Sequence, residues 1–315
     1  MSDVNISCLN FRGQFSGHET FPLRHGWLKK AHDLIVGTGP DAGNHLFKDP
    51  EAVVRFGVGK NMALSIRYWG FACNILEESE NGGLRVTEFG NFLLGPEALD
   101  QYLESTVSIW LLHWMLAGTN PSKATTWYWA FNFLPKQQFE RAGLSDSLLL
   151  NAKERGWKQN SLATFKRDIE CFIRCYVPKS GKGVTTEERV ETPLSELSLI
   201  TQLGTSSYRF NRGPQLSLPD EVFAWSLFEY WRGRETSKVL TIEQITYDPG
   251  SPGRVYKLDD ASVAERLSRL SDLTKGRARW SDTSGLRQVH IHEDYEDRFE
   301  LLHQALSASN QRQVA

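Results

Sequence analysis

His18 and Glu19 are neighbouring residues near the N-terminus whose side chains could take part in catalysis. An imidazole can move a proton near neutral pH, and a carboxylate can act as a base or hold a metal ion. A structural interpretation competes with the catalytic one, because Glu19 could pair with Arg24 while His18 bonds to a backbone carbonyl. From these residues alone we favour the structural interpretation.

Motifs of well-known enzyme classes are missing from the sequence, which contains no zinc-finger spacing, Walker loop or serine elbow. Pro219 and Asp220, followed by Glu235 and Lys238, superficially resemble the core of a restriction nuclease. The Glu-to-Lys spacing is three residues instead of two, and Pro219-Asp220 is more typical of the start of a helix. A nuclease core of this type is therefore not our interpretation.

Two further groups of residues have weak chemical patterns. His290 and His292 lie on one face of a short predicted strand with Tyr295 near by, an arrangement that relaxases use. The surrounding pattern indicates a β-hairpin instead of a relaxase sheet. Cys171 and Cys175 share one face of a predicted helix, and without further ligands at suitable spacing we assign them to the helix core instead of a zinc or iron–sulfur site.

Residues 49–94 have the pattern of a helix-turn-helix followed by a wing. Asp49 and the proline after it favour the start of a short helix, and the glycines at 57 and 59 favour its end. A longer helix is predicted from Lys60 to Leu76, and a short strand from Leu84 to Thr87.

The longer helix would present Lys60 and Arg67 on its outer face, flanked by Asn61 and Tyr68. The two cations could straddle phosphates, and Asn61 could donate to a base edge or a phosphate near the helix N-terminus. A plain helical hairpin that packs against the rest of the protein explains the pattern equally well.

The C-terminal third has a second winged-helix pattern. A short helix is predicted over residues 241–245, a longer helix from an Asp260 cap to Thr274, and a hairpin from 277–280 and 286–292. Positive charge at this hairpin comes from Lys275, Arg277, Arg279 and Arg287. DNA contact and protein docking are both compatible with this unit, because the preceding helix exposes charges of both signs.

Composition limits the class of protein. The 315 residues carry a net charge of −2 and are 40% hydrophobic, so any surface for nucleic acid must be a local basic patch. The sequence has four cysteines, no apolar run of about 20 residues that could span a membrane, and no signal-peptide pattern. We expect a cytoplasmic protein that makes no contact with a membrane.

The predicted fold class is mainly α with small β-hairpins, in which winged helix-turn-helix-like units are joined by a helical block. Residues 1–178 would form an N-terminal helical domain, with a winged-helix-like DNA-binding unit at about 15–95 and a helical block at about 96–178. Residues 179–192 are polar and rich in charge, and we predict a linker or mobile loop there. Residues 193–315 would form a C-terminal winged-helix-like domain.

Six sequence strings resemble a bacterial family of proteins of unknown function whose members, the SspB proteins among them, are encoded beside DNA phosphorothioation genes. The strings are FSGHETFPLR at 15–24, GWLKK at 26–30, GVGKNM at 57–62, IRYW at 66–69, WLLH at 110–113 and PLSEL at 193–197. The resemblance covers roughly residues 15–231. It implies a DNA nickase that works on double-stranded DNA with a cysteine desulfurase, an ATP pyrophosphatase-like enzyme and an ATPase.

The resemblance changes the interpretation of the first residues discussed. It makes His18 and Glu19 the best catalytic candidates, with Glu19 holding Mg²⁺ or Mn²⁺, His18 moving a proton, and Arg24 or Lys29 holding phosphate. It also favours DNA contact by the helix that begins at Lys60. The alternatives are a DNA-binding adaptor without catalytic activity and a transcriptional regulator of the defence operon, and a homodimer is compatible with each.

Overall fold

The fold is described from a computed structural model. The structure describes residue 6 and residues 11–39, 42–119, 121–157, 161–178, 192–234, 237–283 and 285–314. The predicted linker at 179–192 lies outside these residues, apart from Thr192, and remains a prediction.

The N-terminal part is built from helices with one small hairpin. Its helices are α1 (Trp27–Thr38), α2 (Pro50–Phe56), α3 (Lys60–Ala72) and α4 (Glu88–Leu94). The hairpin pairs strands β1 (Leu76–Glu78) and β2 (Leu84–Val86) antiparallel, with Leu76 opposite Val86. The predicted order of short helix, glycine turn, longer helix and strand is therefore found, and Gly57 adopts the expected positive φ of 64°.

The first helix begins later than the sequence pattern predicts. Thr20 followed by Pro22 favours a helix that begins near these residues, with Thr20 as its cap, but α1 begins at Trp27, and Thr20 lies in a turn with a φ of 65°. Residues in the left-handed region do not continue into a right-handed helix, so the chain from 17 to 26 stays irregular. His32, expected on the outer face of the helix, is buried beside Asn91 of α4.

Four further helices follow in the chain and pack together around a buried aromatic core. They are α5 (Thr106–Trp114), which continues as a π-helix at Met115–Thr119, α6 (Thr125–Phe133), α7 (Arg141–Glu154) and α8 (Leu162–Tyr176). Their contact region is dense in fully buried aromatic side chains, among them Trp110, Trp114 and Trp127. The aromatic cluster at residues 127–133 could in principle stack on bases, but its sequence favours core packing, and the burial of Trp127 and Phe131 agrees with that prediction.

A three-stranded antiparallel sheet joins the chain before residue 178 to the chain after residue 192. Strand β3 (Gln138–Glu140) pairs with β5 (Ser207–Phe210), and β5 pairs with β4 (Ile200–Gln202). The sequence Tyr-Arg-Phe at 208–210 is typical of a strand, and in the structure it belongs to β5, the central strand of this sheet. The two segments share backbone hydrogen bonds on both sides of the predicted linker.

The C-terminal part follows a helix–strand–helices–hairpin order. Its elements are α9 (Asp220–Arg232), β6 (Val239–Thr241), α10 (Ile242–Tyr247), α11 (Pro252–Val255), α12 (Asp260–Ser268), α13 (Leu270–Leu273), β7 (Ala278–Thr283), β8 (Leu286–Ile291) and α14 (Glu300–Val314). The strand order in the sheet is β6-β8-β7. Thr241 and Gln244 form a capping box that begins α10.

Two details of the C-terminal prediction differ from the structure. Asp259, and not Asp260, caps α12, because its side chain accepts from the backbone N–H of Ser262. The predicted long helix is also interrupted at Arg269, where α13 begins. Asp220 is the first residue of α9 and pairs with Arg266 at 2.6 Å, as a helix start and not as part of a nuclease core.

The predicted class, mainly α with small antiparallel sheets, is thus confirmed. No helix in the described part of the chain has both the length and the apolar character needed to cross a lipid bilayer.

The central core contains a buried histidine, His113, whose protonation at low pH favours the unfolded chain. Nδ1 of His113 lies 2.8 Å from the Tyr176 hydroxyl, and Nε2 lies 3.0 Å from the Val255 carbonyl oxygen. Burial lowers the pKa of His113 from 6.5 to about 3. The unfolded chain therefore binds a proton at His113 between pH 6.5 and pH 3 that the folded chain does not.

We predict that acid destabilises the wild type more than a His113→Gln variant. Stability that depends on neutral His113 is lost as pH falls through that window, by up to about 1.4 kcal/mol per pH unit. Urea unfolding should give the variant a lower free energy of unfolding than the wild type at pH 7. At pH 5 this difference in free energy should be smaller by roughly 1–2 kcal/mol. The same difference at both pH values would contradict this prediction.

Candidate functional site

A strained turn at His18–Phe21 lies in the first sequence string of the family resemblance. The Phe21 N–H donates to the His18 carbonyl oxygen at 2.8 Å, which closes a four-residue turn. Its central residues, Glu19 and Thr20, have φ values of 46° and 65°. Two left-handed central residues define a type I′ turn, which favours Asn and Gly, and a β-branched threonine there is strained by about 1–2 kcal/mol.

Side chains from two helices hold the carbonyl groups of this turn. On α3, the Ser65 hydroxyl donates to the His18 oxygen at 2.9 Å, and the Trp69 indole N–H donates to the Phe21 oxygen at 3.2 Å. On α8, Arg174 donates to the Thr20 oxygen at 3.2 Å. Strain of this size persists only where the surroundings fix the backbone, and it is frequent at functional sites. We therefore treat the turn as the candidate site.

The ring nitrogens of His18 both have partners in the interior. Nδ1 accepts from the Thr20 backbone N–H at 3.0 Å, so the ring hydrogen must be on Nε2. Nε2 donates to Asp168 Oδ1 at 2.8 Å, and the Thr126 hydroxyl donates to the other oxygen of Asp168. His18 is 2% exposed. These contacts support a positioning role for His18, because neither nitrogen is available to a substrate in this arrangement.

Tyr68 lies in the interior beside this histidine, although the sequence pattern places it next to the outer face of α3. The ring centroids of His18 and Tyr68 are 5.4 Å apart, and Tyr68 is 5% exposed. Its buried hydroxyl has no hydrogen-bond partner among the described residues. Burial, with Asp168 adding to it, raises the pKa of Tyr68 well above its usual value, so the phenol stays neutral.

The surface beside the turn combines one carboxylate with several cations. Glu19 and Thr20 are exposed on the turn, and Lys60 and Asn61 are exposed at the start of α3. Asn61 precedes Ser65 by four residues, so it shares the face of α3 that contacts the turn. On α8, Arg167 and Arg174 flank Cys171 by one turn each, and the Cys171 thiol lies 3.3 Å from the Phe21 oxygen. We call this surface the turn face.

Arg67, the second cation predicted on the outer face of α3, is half-buried instead of projecting into solvent. Its Nε donates to Asn44 Oδ1 at 2.6 Å, and its guanidinium lies 4.8 Å from the Phe71 ring centroid. Burial lowers the pKa of Arg67, and Glu78 partly offsets that effect. Only the first turn of α3 is therefore well exposed.

The two other cations predicted to hold phosphate have their own contacts. The guanidinium of Arg24 lies 5.4 Å from the Trp27 ring centroid and 5.7 Å from that of Phe21. Lys29 pairs with Asp33 at 2.6 Å on α1. Burial would raise the pKa of Asp33, but hydrogen bonds from Lys29 and His32 outweigh it and lower that pKa.

The basic residues of the C-terminal hairpin are also partly engaged. Lys275 pairs with Glu300 at 3.2 Å, and the Arg277 guanidinium lies 4.7 Å from the Tyr295 ring centroid. Arg279 is exposed on β7, opposite His290 of β8. The hairpin therefore offers less unpaired positive charge than its sequence indicates.

The histidine pair and the tyrosine near it do not form a joint site. The rings of His290 and His292 stack at 6.4 Å, and Nε2 of His290 lies 2.8 Å from the Gln288 amide nitrogen. Tyr295 packs edge-on against Phe228 at 5.1 Å, and burial raises its pKa to about 12. The tyrosine is thus held neutral against the C-terminal core.

The thiols of Cys171 and Cys175 are both buried in α8. Burial, with Cys175 adding to it, raises the pKa of Cys171 well above its usual value, which makes the thiol unreactive. In the described part of the chain, no three His, Cys, Asp or Glu side chains converge as a metal site would require. Glu19 is the exposed carboxylate on the turn itself.

Sequence reasoning missed the residues that support the turn: Ser65, Thr126, Asp168 and Arg174. Asp168 carried a signal that could have been used, because it falls on the apolar face of α8 next to Ile169 and between Phe165 and Phe172. A carboxylate on a buried face needs a donor elsewhere in the protein. The partners themselves could not be identified, since they lie far away in the chain.

The fold and this site define a mainly α protein with small antiparallel sheets and a rigid N-terminal turn. The sequence matches the family described as "Protein of unknown function (DUF4007)" over residues 15–306, and the chain belongs to that family. None of the curated proteins matches it.

Two solved structures are similar to this chain, and both are of SspB. A magnesium ion-bound SspB crystal structure matches with a TM-score of 0.81 and 26% identity, covering 95% of this chain and 89% of that chain. A second SspB crystal structure matches with the same TM-score and coverage and 27% identity. The chain is therefore SspB-like, as its sequence strings indicated.

We predict that Asp168→Ala destabilises the protein by about 2–4 kcal/mol, because it leaves the His18 Nε2–H and the Thr126 hydroxyl without a partner in the core. Asp168→Asn should lose much less, since the amide oxygen still accepts from His18. Urea unfolding measures both, with Asp146→Asn on the exposed face of α7 as the control. Equal losses for Asp168→Ala and Asp146→Asn would show that the carboxylate does not stabilise the fold.

We predict that Thr20→Gly stabilises the protein by up to about 1 kcal/mol. Glycine removes about 1–2 kcal/mol of left-handed strain but loses about 0.5–1 kcal/mol of chain entropy on folding. Thr205→Gly, at an exposed position without a positive φ, is the matched control and should be neutral or destabilising. Thermal unfolding in which Thr20→Gly loses as much stability as the control would show that the turn is unstrained.

Proposed function

We propose that this chain is the DNA-binding component of a bacterial DNA phosphorothioation system and that it nicks one strand of duplex DNA to admit sulfur. The support is the similarity to SspB over nearly the whole chain, together with the sequence strings shared with that family. The observation that carries the DNA-binding part of the proposal is the turn face. There the His18–Phe21 turn is held by hydrogen bonds from both α3 and α8. The exposed N-terminal end of α3 and the cations of α8 belong to the same surface.

DNA phosphates would bind first at the beginning of α3. Gly59 caps this helix without a side-chain acceptor, so the first backbone N–H groups remain open. A helix N-terminus with free N–H groups attracts phosphate, and the exposed Lys60 and Asn61 add a charge and a donor at the same place. Arg167 and Arg174 on α8 would hold the phosphates on the other side of the turn.

We further propose that α2, α3 and the β1–β2 hairpin act as a winged-helix-like unit. In helix-turn-helix proteins the N-terminal residues of the second helix contact the bases. The half-buried position of Arg67 fits this geometry, because it leaves the first turn of α3 as its exposed part. The elements from α9 to β8 follow a similar order, and Arg279 is an exposed cation of their hairpin that would face DNA.

The nicking step would need a metal ion, and one of the two similar SspB crystal structures is magnesium ion-bound. In this chain the candidate ligand is Glu19, a single exposed carboxylate. Mg²⁺ is often held by one or two carboxylates with water and substrate phosphate completing its shell, so Glu19 fits as a partial site. A bound Mg²⁺ or Mn²⁺ would stabilise charge on the phosphate under attack.

A DNA-binding adaptor without nuclease activity is the second candidate. It is favoured by the contacts of His18, whose nitrogens are both engaged, and by the lack of a three-ligand cluster among the described residues. Such an adaptor would hold the cysteine desulfurase, the ATP pyrophosphatase-like enzyme or the ATPase of the system near DNA.

The two candidates differ in a plasmid assay. We predict that purified protein converts supercoiled plasmid to open circle with Mg²⁺ or Mn²⁺ but not with EDTA. Glu19→Gln should slow conversion at least tenfold and leave DNA binding intact, while Glu243→Gln on the exposed side of α10 serves as the control. Binding without conversion under every metal condition would support the adaptor and overturn the nickase.

The DNA-binding surface is tested separately, by the salt dependence of DNA affinity. Lys60→Gln with Arg167→Gln should weaken DNA binding and reduce the slope of log affinity against log salt by about 0.9 for each lost phosphate contact. Neither residue anchors the turn, so the fold should be retained. Lys153→Gln, an exposed lysine of α7, controls for lost charge, and an equal effect of this control would argue against the turn face.

A further inference from the structure

A second concentration of positive charge lines a cavity of about 130 Å³ that follows α6 in the chain. The cavity is formed where the chain after α6 meets β5, α10 and the loop after α11. We call it the Lys257 pocket. The residues that matter for its chemistry are Lys136, Phe210, Arg212, Thr246, Arg254 and Lys257.

The cations of the Lys257 pocket have few acidic partners. Lys257 donates to the carbonyl oxygen of Phe131, and Arg254 donates to the carbonyl oxygen of Asn132 at 2.9 Å. Arg212 pairs with Asp260 at 2.9 Å. Among the described residues this is the one ion pair that involves Arg212, Arg254 or Lys257, and the hydrogen bonds of Arg254 and Lys257 go to carbonyl oxygens.

Lys257 is the most unusual member of the pocket. It is 9% exposed, and its Nζ lies 4.4 Å from the Phe210 ring centroid. Its backbone is left-handed, with a φ of 55°. Burial, reinforced by repulsion from Arg254 and Arg212, lowers the pKa of Lys257 well below its usual value. The charged form of a buried lysine beside two arginines is costly, and an anion bound beside it would favour that charged form.

Thr246 supplies an independent observation. Thr246 is 2% exposed, and its hydroxyl oxygen has no hydrogen-bond partner among the described residues. Gly253 approaches it so closely that a Cβ there would lie 2.6 Å from the Thr246 Cα, which fixes the wall of the pocket. A buried hydroxyl without a partner, in the wall of a cavity that is also lined by cations, is a donor that a bound anion could use.

We propose that the Lys257 pocket binds a phosphoryl group, with Arg212 and Arg254 as charged donors, the Thr246 hydroxyl as a neutral donor and Lys257 as the buried countercharge. Planar guanidinium groups suit phosphate oxygens, and the cavity has room for a phosphate with part of its substituent. The phosphoryl group comes either from a free mononucleotide or from the 5′ end of a nucleic-acid strand. The proposal stands independently of DNA nicking at the turn face.

Isothermal titration calorimetry on the full chain tests the pocket with four probes: inorganic phosphate, AMP, a 5′-phosphorylated trithymidylate and the same trinucleotide with a 5′-hydroxyl. We expect the phosphorylated probes to bind and the 5′-hydroxyl probe to bind at least tenfold more weakly. Tighter binding of the trinucleotide than of AMP would assign the pocket to strand ends, and the reverse would assign it to a free nucleotide.

Variants separate the pocket from general charge. Thr246→Val, which removes only the unpaired hydroxyl, and Arg212→Gln should each weaken phosphate-dependent binding at least fivefold. Arg209 lies next to Phe210 on the exposed face of β5 and is the control. The affinity of Arg209→Gln for the phosphorylated probes should stay within twofold of the wild type. Thr246→Val introduces no unpaired group and should fold even if Arg212→Gln does not. Absence of binding by every phosphorylated probe, or equal binding by Thr246→Val and wild type, would overturn the proposal.

Discussion

The candidate site depends on the hydrogen bonds of one buried carboxylate, that of Asp168. It accepts hydrogen bonds from His18 in the N-terminal segment and from Thr126 on α6, and it is itself fully buried on α8. The His18 Nδ1 accepts the Thr20 backbone N–H, so the hydrogen that bonds Asp168 is on Nε2. A carboxylate in the interior is tolerated only while its donors remain in place. The three segments are therefore fixed relative to one another.

This constraint explains how a strained turn can persist at the surface. The strain in Glu19 and Thr20, about 1–2 kcal/mol per residue, is comparable to the contribution of the hydrogen bonds that hold the carbonyl groups of the turn, about 0.5–1.5 kcal/mol each, so these bonds can offset it. Because the anchors come from α3 and α8, a change in the position of either helix alters the turn. Glu19 is therefore presented in one direction on a rigid base, as a ligand or contact residue must be. A flexible surface loop would hold it with far less precision.

The sequence predicted the parts of the fold that depend on local signals. The α2–α3 pair, the strand at residues 208–210 and the C-terminal hairpin follow from capping residues, glycine turns and alternation of apolar side chains. The turn at His18 could not be derived, because its strain is balanced by residues up to about 150 positions away and no local pattern records them. Threonine at a left-handed position even contradicts the local preference. Such conflicts between local and tertiary preference are expected at functional sites.

Positive charge was equally hard to predict from the sequence, because the partner of each cation is set by the fold. In the C-terminal part, Arg266 and Arg269 both pair with Asp220, and Arg298 pairs with Glu229. These arginines stabilise contacts between α9 and the helices around it and leave little charge for a ligand. A cation without a carboxylate partner has more of its charge left for a ligand. In the two proposals above, the binding cations are those of the turn face, on exposed helix positions, and those of the Lys257 pocket, where burial strengthens the attraction of an anion. The first arrangement would suit a duplex, which contacts an open surface, and the second would suit a single phosphoryl group.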